Sequence, residues 1–273
     1  MTRIRPLALL AALALLGSMT GASAAQAKTT ISMSGSTSVA PLAAKLASAF
    51  KNQRKFRGKV RFTLAQGGSD VGITDVSRSR VSIGNSSRDP KAADPSGIVF
   101  NKIARDAVCI VTNNRNAIAN LSQGQIQDIF SGRIRSWSRV PGAKVSGAID
   151  LVTRTQASGT QDAFQNIFLG QRLRVAGSAT TKASNGLQAQ AIKSNPNAIG
   201  YASFNFVRGL HNVPYRGVRC SLRSAKSGTY GGARNFFMVT RGKPRGAVKS
   251  FLRFIRTSSA GKRITATNWV PLR

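Results

Sequence analysis

Ser34-Gly35-Ser36-Thr37-Ser38-Val39-Ala40-Pro41-Leu42 joins a short β-like run, Thr30 to Met33, to a helix-like one. Val39, Leu42, Ala43, Leu46 and Phe50 follow helical spacing. Pro41 falls in the first turn of that helix, where its missing N–H does no harm. The junction is thus a strand, a cluster of glycine and small hydroxyl residues, and a helix start. Gly67-Gly68-Ser69-Asp70 and Ser158-Gly159-Thr160 repeat the design. A helix start offers unpaired N–H groups and a positive dipole end, so it attracts anions. One such junction is ordinary. Three in one chain, with Arg154 just ahead of the third, fit a closed cage for a small oxyanion. The competing reading is local: Ser36, Thr37 and Ser158 to Thr160 also suit simple helix capping, as does Asp70.

Working outward, Lys59 to Leu64 alternates, with Val60, Phe62 and Leu64 on one face of a strand. Val81 to Gly84 is a second short strand, and Ala107 to Thr112 an apolar run suited to a buried one. Ser122-Gln123-Gly124-Gln125 resembles a capping box that opens a helix carrying Ile126, Ile129 and Phe130, with Gly132 placed to stop it. Ile149 to Thr153 is a strand leading into Arg154. Phe164, Ile167 and Phe168 mark the buried face of the next helix and Gly170 its end. A helix from Asn185, strands at Ala198 to Ala202 and Asn235 to Thr240, and a helix over Gly246 to Ile255 complete an interleaved α/β pattern.

Arg3 and Arg5 precede the apolar run Leu7 to Leu16, which is too short to span a bilayer as a helix. Ala22-Ser23-Ala24 and Ala25-Gln26-Ala27 both fit a signal-peptidase site, so residues 1–27 read as a signal peptide without a lipoprotein cysteine. The full chain of 273 residues carries 41 Lys and Arg against 8 acids, all Asp. Without Arg3 and Arg5 the net charge is +31. That balance suits contact with polyanions, or a generally basic solvated surface; no aromatic–basic interleaving or zinc-finger spacing points to nucleic acid. The two cysteines, Cys109 and Cys220, suit a disulfide in an exported chain, while Cys109 also fits as a small buried hydrophobe.

Catalysis finds no support in the residues. There is no Ser/His/Asp spacing, no metal cluster and no pair of Glu residues. Gly35 to Val39 lacks the closing glycine of a nucleophile elbow. The chain reads as a binding module with no catalytic residues, metal site or cofactor.

Residues 34–42, Gly84-Asn85-Ser86-Ser87-Arg88-Asp89, Ile126 to Trp137, Arg154 to Thr160, Asn197-Ala198-Ile199-Gly200-Tyr201 and Val270-Pro271-Leu272 resemble, in order, the motifs of the PstS-type phosphate-binding proteins. These are the substrate-binding proteins of phosphate ABC transporters, and the likeness spans nearly all of the mature chain. It implies an α/β, two-lobed periplasmic-binding-protein fold of type II with the ligand cleft between the lobes. Lobe I would be 28–112 plus 235–273 and lobe II 113–234, with the strands at Ala107 to Thr112 and Asn235 to Thr240 near the crossovers. The resemblance assigns phosphate contacts to Ser36, Thr37, Ser38, Ser69, Ser87, Arg154, Ser158, Gly159 and Thr160.

Two departures stand out. Many members carry Asp where this chain has Ser87, which leaves a hydroxyl, Asp89 or Asp70 to accept the proton of hydrogen phosphate. Gln156 and Ala157 replace an acid and a glycine in the Arg loop. Arg88 is expected to pair with Asp89 or another lobe I acid. His211 is the single histidine of the sequence, and Trp137 and Trp269 are read as packing residues. The resemblance implies a secreted or periplasmic, monomeric protein with two partners, inorganic phosphate and a membrane ABC permease. The charge keeps open a different class, a polyanion-interacting protein on the same scaffold, with anionic cell-envelope polymers, polyphosphate or nucleic acid as partners.

Overall fold

A computed structural model describes residues 28–272; the signal-peptide reading of 1–27 lies outside the described residues. The strands are β1 (Thr29–Gly35), β2 (Val60–Leu64), β3 (Ile83–Ser86), β4 (Ile98–Thr112), β5 (Asp150–Arg154), β6 (Thr180–Lys182), β7 (Ala198–Ser203), β8 (His211–Asn212), β9 (Ala233–Arg241) and β10 (Val270–Pro271). The helices are α1 (Ala40–Lys51), α2 (Ser69–Ser77), α3 (Gln123–Phe130), α4 (Gly159–Phe164), α5 (Asn185–Ser194), α6 (Leu222–Ser227), α7 (Gly246–Thr257) and α8 (Ser259–Asn268). Among the described residues, no helix is long and apolar enough to cross a membrane.

The main path of the sheet runs β2-β1-β3-β9-β4-β7-β5-β6, with β8 and β10 also paired to β4. β1 is parallel to β2 and β3, and β5 is parallel to β6 and β7. Each parallel set is connected through helices, as parallel strands require. α1 and α2 join β1, β2 and β3; α4 and α5 join β5, β6 and β7.

β4 holds the two sets together. Its residues from Ile98 to Ala107 pair with β9, and those from Val108 to Thr112 pair with β7. The sequence predicts only the apolar end of this strand, Ala107 to Thr112. The preceding stretch contains Asn101, Lys102, Arg105 and Asp106, so its strand character comes from pairing with β9 rather than from hydropathy.

Two large apolar cores flank this strand. One gathers Ile31, Leu42, Leu46, Phe50, Phe236, Phe251 and Ala104. The other gathers Val108, Ile110, Phe130, Trp137, Phe164, Tyr201 and Ala107. Ala104 and Ala107 thus belong to different cores, with Arg105 and Asp106 between them. Aromatic pairs fix each core: Phe50 stacks on Phe56 at 4.1 Å and Phe164 on Tyr201 at 4.0 Å. Such pairs add about 1 kcal/mol each beyond area burial.

Local sequence rules hold at several ends. Ser122 and Gln125 form the expected capping box of α3, and Gly132 follows its end at φ +79°. The helix from Gly159 is shorter than its apolar face suggests: after Phe164 it widens into a π-helical turn over Gln165–Leu169 and stops at Gly170. Cys109 and Cys220 form a disulfide inside the second core, closing a sequence separation of 111 residues. Trp137 packs in that core and donates its indole N–H to the carbonyl of Asn197 at 2.8 Å.

Candidate functional site

The three hydroxyl–glycine clusters meet at one seam. The first lies in the turn between β1 and α1, the second at the start of α2, and the third at the start of α4. Ser87 follows β3, and Arg154 ends β5. Ser36, Thr37, Ser38, Ser69, Ser87, Arg154, Ser158, Gly159 and Thr160 are all buried.

Backbone geometry at the clusters follows from their chemistry. The Ser36 hydroxyl accepts from the N–H groups of Ser38 and Val39, and the Ser158 hydroxyl accepts from those of Thr160 and Gln161. Both are therefore local turn and cap residues as well as members of the seam. Gly159 is a requirement of close approach. A Cβ there would lie 2.2 Å from the Ser69 hydroxyl oxygen and 2.7 Å from that of Ser87. At Gly68 (φ +104°) a Cβ would meet the Ala157 carbonyl at 2.5 Å. The Asp70 N–H donates to that carbonyl at 3.1 Å. Ala157, where glycine is usual in the resembling family, is thus accommodated by the second cluster's own glycine.

The hydroxyls are bonded across the seam. Ser36 donates to Ser87 at 2.8 Å, and the Ser87 N–H donates to the Ser69 hydroxyl at 2.9 Å. Ser38 and Thr160 share a bond of 2.9 Å. Two residues that the sequence reading missed complete the set. Asn185 donates to Thr37 at 2.9 Å and to Ser38 at 2.8 Å. Arg234 donates to Ser38 and to Thr160, both at 3.0 Å. The Asn185 carbonyl oxygen in turn accepts from the Ser203 N–H at 3.2 Å. Asn185 is read from sequence only as a helix start, and Arg234 sits one residue before the predicted strand. The available signal was an opposite-charge pair at the edges of two apolar runs, Asp106 before Ala107 and Arg234 before Asn235.

Arg154 is held by backbone. Its Nε donates to the Lys182 carbonyl at 3.0 Å, and its Nη2 to the Ala183 carbonyl at 2.9 Å and the Thr37 hydroxyl at 3.3 Å. Gln156 is exposed, so the carbonyls of Lys182 and Ala183 steady the guanidinium in place of the family's usual acid. Nη1 is buried with no hydrogen-bond partner. Burial pushes the Arg154 pKa down to about 10; Tyr201 works against the shift and the charge of Arg234 adds to it. Burial also lowers Arg234, opposed by the charge of Asp106 and its hydrogen bond.

The charge and proton count of the seam is uneven. Two buried guanidiniums face one buried carboxylate, Asp106, which accepts from Arg234 at 2.8 Å and 3.0 Å and from Ser203 at 2.8 Å. Ser38 accepts from Asn185 and Arg234, so its one hydrogen goes to Thr160. Thr160 accepts from Ser38 and Arg234, which leaves its own hydrogen to give. Thr37 accepts from Arg154 and Asn185 and likewise keeps a hydrogen to give. Thr37, Thr160 and Arg154 Nη1 are therefore three donors from both sides of the seam, beside an excess of positive charge.

The other acids near the seam have partners. Arg88 pairs with Asp70 at 2.7 Å and Asp94 at 2.5 Å, while Asp89 contributes only its backbone carbonyl to Arg88. Burial opposes charge on Arg88, but these two carboxylates outweigh it and raise its pKa. The Asp89 carboxylate accepts from Asn235 at 2.9 Å. Asp70 sits in the first turn of α2 without capping it. Lys91 pairs with Asp162 of α4, a link between the β3–β4 connection and the third cluster. His211 contacts the carbonyl of Ile118 at 2.7 Å, away from these residues.

A family model for a PBP superfamily domain matches residues 20–259. The phosphate-binding protein PstS of Bacillus subtilis is 25% identical over 253 residues, covering 90% of this chain and 82% of that protein. PstS of Borreliella burgdorferi is 26% identical over 247 residues, covering 86% of each. A Clostridium perfringens protein, named as a phosphate ABC transporter substrate-binding protein and solved with bound phosphate, matches with a TM-score of 0.84 and 30% identity, covering 90% of this chain and all of that one.

Proposed function

The chain belongs to the PBP superfamily, among its PstS-type phosphate-binding proteins, and from that membership we propose that it binds inorganic phosphate between two lobes and delivers it to an ABC permease. The family is one of substrate-binding proteins. The observation that carries the reading is the charge imbalance of the seam: Arg154 and Arg234 are buried against Asp106 alone. Burying an unbalanced cation is costly, and a bound anion offsets that cost.

The ligand would take the hydrogens of Thr37 and Thr160 and a charge-assisted bond from Arg154 Nη1. Ser36, Ser38, Ser69, Ser87, Ser158 and Gly159 would shape the surrounding cage by their mutual bonds and close packing. Where relatives place an Asp, Ser87 would supply the acceptor for a phosphate proton, since Asp70 and Asp89 are engaged elsewhere. Lobe I at 28–112 plus 235–273 and lobe II at 113–234 would hinge on β4 and β9. A ligand that contacts both lobes favours the closed form only by the contacts that form on closure. Closure would be what the permease reads. The protein would work as a monomer outside the cytoplasmic membrane, released by cleavage near residue 27.

Titration calorimetry with phosphate and with sulfate, on the wild type and Arg154→Ala, tests the proposal. Saturable one-to-one phosphate binding that the substitution weakens is expected. A wild type that gives no saturable signal with phosphate overturns it.

A further inference from the structure

The acids of this chain are unevenly distributed: all eight lie at or before Asp162, and none follows. The C-terminal third is therefore cationic throughout. Its charge concentrates on α7, α8 and the turn before them. Lys243, Arg245, Lys249, Arg253, Arg256, Lys262 and Arg263 are all exposed there, and none takes part in an ion pair among the described residues.

The helix itself arranges them. Lys249, Arg253 and Arg256 stand at i, i+4 and i+7, so they share one face of α7, spaced roughly 6 Å and 4.5 Å along its axis. The opposite face is fixed by Phe251, Leu252, Phe254 and Ile255, which are buried in the first core. The row is thus carried on a rigid element. It borders a groove of about 610 Å³ lined by Lys249, Arg253, Arg256, Lys262, Asn101 and Leu272. Like charges held together repel, and among the described residues no carboxylate lines the groove to offset the repulsion.

We infer that this groove is a second anion-binding surface, independent of the buried seam, and that its partner is a linear polymer carrying a phosphate charge at each repeat. Charge complementarity selects a polyanion. The form of the site selects a chain over a membrane: among the described residues the exposed large apolar side chains are Val71, Val99 and Leu187, and none of them belongs to α7 or α8 or lines the groove, so no apolar anchor stands in the row of cations. A flexible chain laid along the groove meets the row in sequence and releases a counterion at each contact, so its binding weakens steeply with salt. Phosphoanhydride and phosphodiester polymers share this chemistry.

The test uses the mature chain with long-chain inorganic polyphosphate, a polyglycerol phosphate and anionic lipid vesicles, each titrated from about 50 to 200 mM salt. One variant combines Lys249→Gln, Arg253→Gln, Arg256→Gln and Lys262→Gln. A control combines Arg115→Gln, Arg172→Gln, Lys193→Gln and Arg223→Gln, which removes equal charge from other exposed positions. The groove variant is expected to bind at least one polymer about ten-fold or more weakly, with a log–log salt slope shallower by about 3, while the control stays near wild type. Orthophosphate binding by the groove variant confirms its fold. Equal losses in both variants, wild-type polymer binding by the groove variant, or a preference for vesicles over both polymers overturns the inference.

Discussion

Ser38 and Thr160, 122 residues apart in the sequence, share a 2.9 Å hydroxyl hydrogen bond, and the Arg234 guanidinium donates to both. A single side chain on β9 thereby ties the start of α1 to the start of α4. Each hydroxyl already accepts from a neighbour, so the hydrogen that Thr160 retains faces the next acceptor to arrive. The same arithmetic holds for Thr37 under Arg154 and Asn185. Both threonine hydroxyls are thus oriented by neighbouring donors.

Removing Arg154 is expected to weaken phosphate binding about 10- to 150-fold, since a hydrogen bond to a charged group contributes about 1.5–3 kcal/mol. Calorimetry on Arg154→Ala measures the loss. Thermal melts add a second readout: phosphate should raise the Tm of the wild type and barely move that of the variant.

Gly159→Ala tests the closeness of the seam rather than its charge. The added methyl would sit 2.2 Å from the Ser69 hydroxyl oxygen and 2.7 Å from that of Ser87, so the seam must part to admit it. The substitution keeps every donor side chain, yet phosphate affinity should fall about 5- to 150-fold, by the 1–3 kcal/mol usual for overpacking a tight site. Unchanged affinity would show that closure does not depend on this contact.

The pH dependence follows from Arg154. Its pKa is pushed down to about 10, so it is protonated through neutral pH and has lost half its charge near that value. In the proposed role, phosphate binding would require the charged form. The dissociation constant should change little on this account below pH 9 and rise toward ten-fold per unit above pH 10. Titrations from pH 7 to 11 check this, and a profile that stays flat above pH 10 would show that Arg154 keeps its charge there.

How far the sequence discloses this site depends on the range of the interactions. The hydroxyl–glycine clusters are legible because their chemistry is local: Ser36 and Ser158 bond N–H groups two and three residues on. The capping box at Ser122 and Gln125 is legible for the same reason. Arg234 and Asp106 are not, because 128 positions separate them and only the antiparallel register of β4 and β9 makes them partners. Asn185 has a plain local reading at a helix start, and its two bonds to Thr37 and Ser38 arise from packing 147 and 148 residues away. The first half of β4 escapes a periodicity search because a register shift between Lys102 and Ala104 breaks its alternation, and Asn101 and Asp106 bond to residues of β9. The π-helical turn after Phe164 leaves no pattern distinct from an ordinary helix end.

Asp106 should matter to stability more than to ligand contact. Asp106→Leu leaves Arg234 buried without its carboxylate and is expected to cost about 3–5 kcal/mol. The double variant Asp106→Leu/Arg234→Leu removes both charges and should recover part of that loss. Urea unfolding of the three proteins measures the coupling; a double variant less stable than Asp106→Leu would show that the pair is not the source of the cost.

The disulfide gives a separate test of the second core. Cys109 and Cys220 are buried and close a long loop. Replacing both by Ala should lower stability by about 2–4 kcal/mol through the unfolded chain, leaving phosphate affinity near wild type. Denaturant melts under oxidising conditions, paired with calorimetry, separate the two effects.

The most direct measurement is a crystal structure of the mature protein grown with phosphate. One tetrahedral anion is expected within hydrogen-bond distance of Arg154, Thr37 and Thr160, with Arg234 still joined to Asp106. Phosphate bound elsewhere with the seam unchanged, or Thr37 and Thr160 far apart with no ion between them, would contradict it.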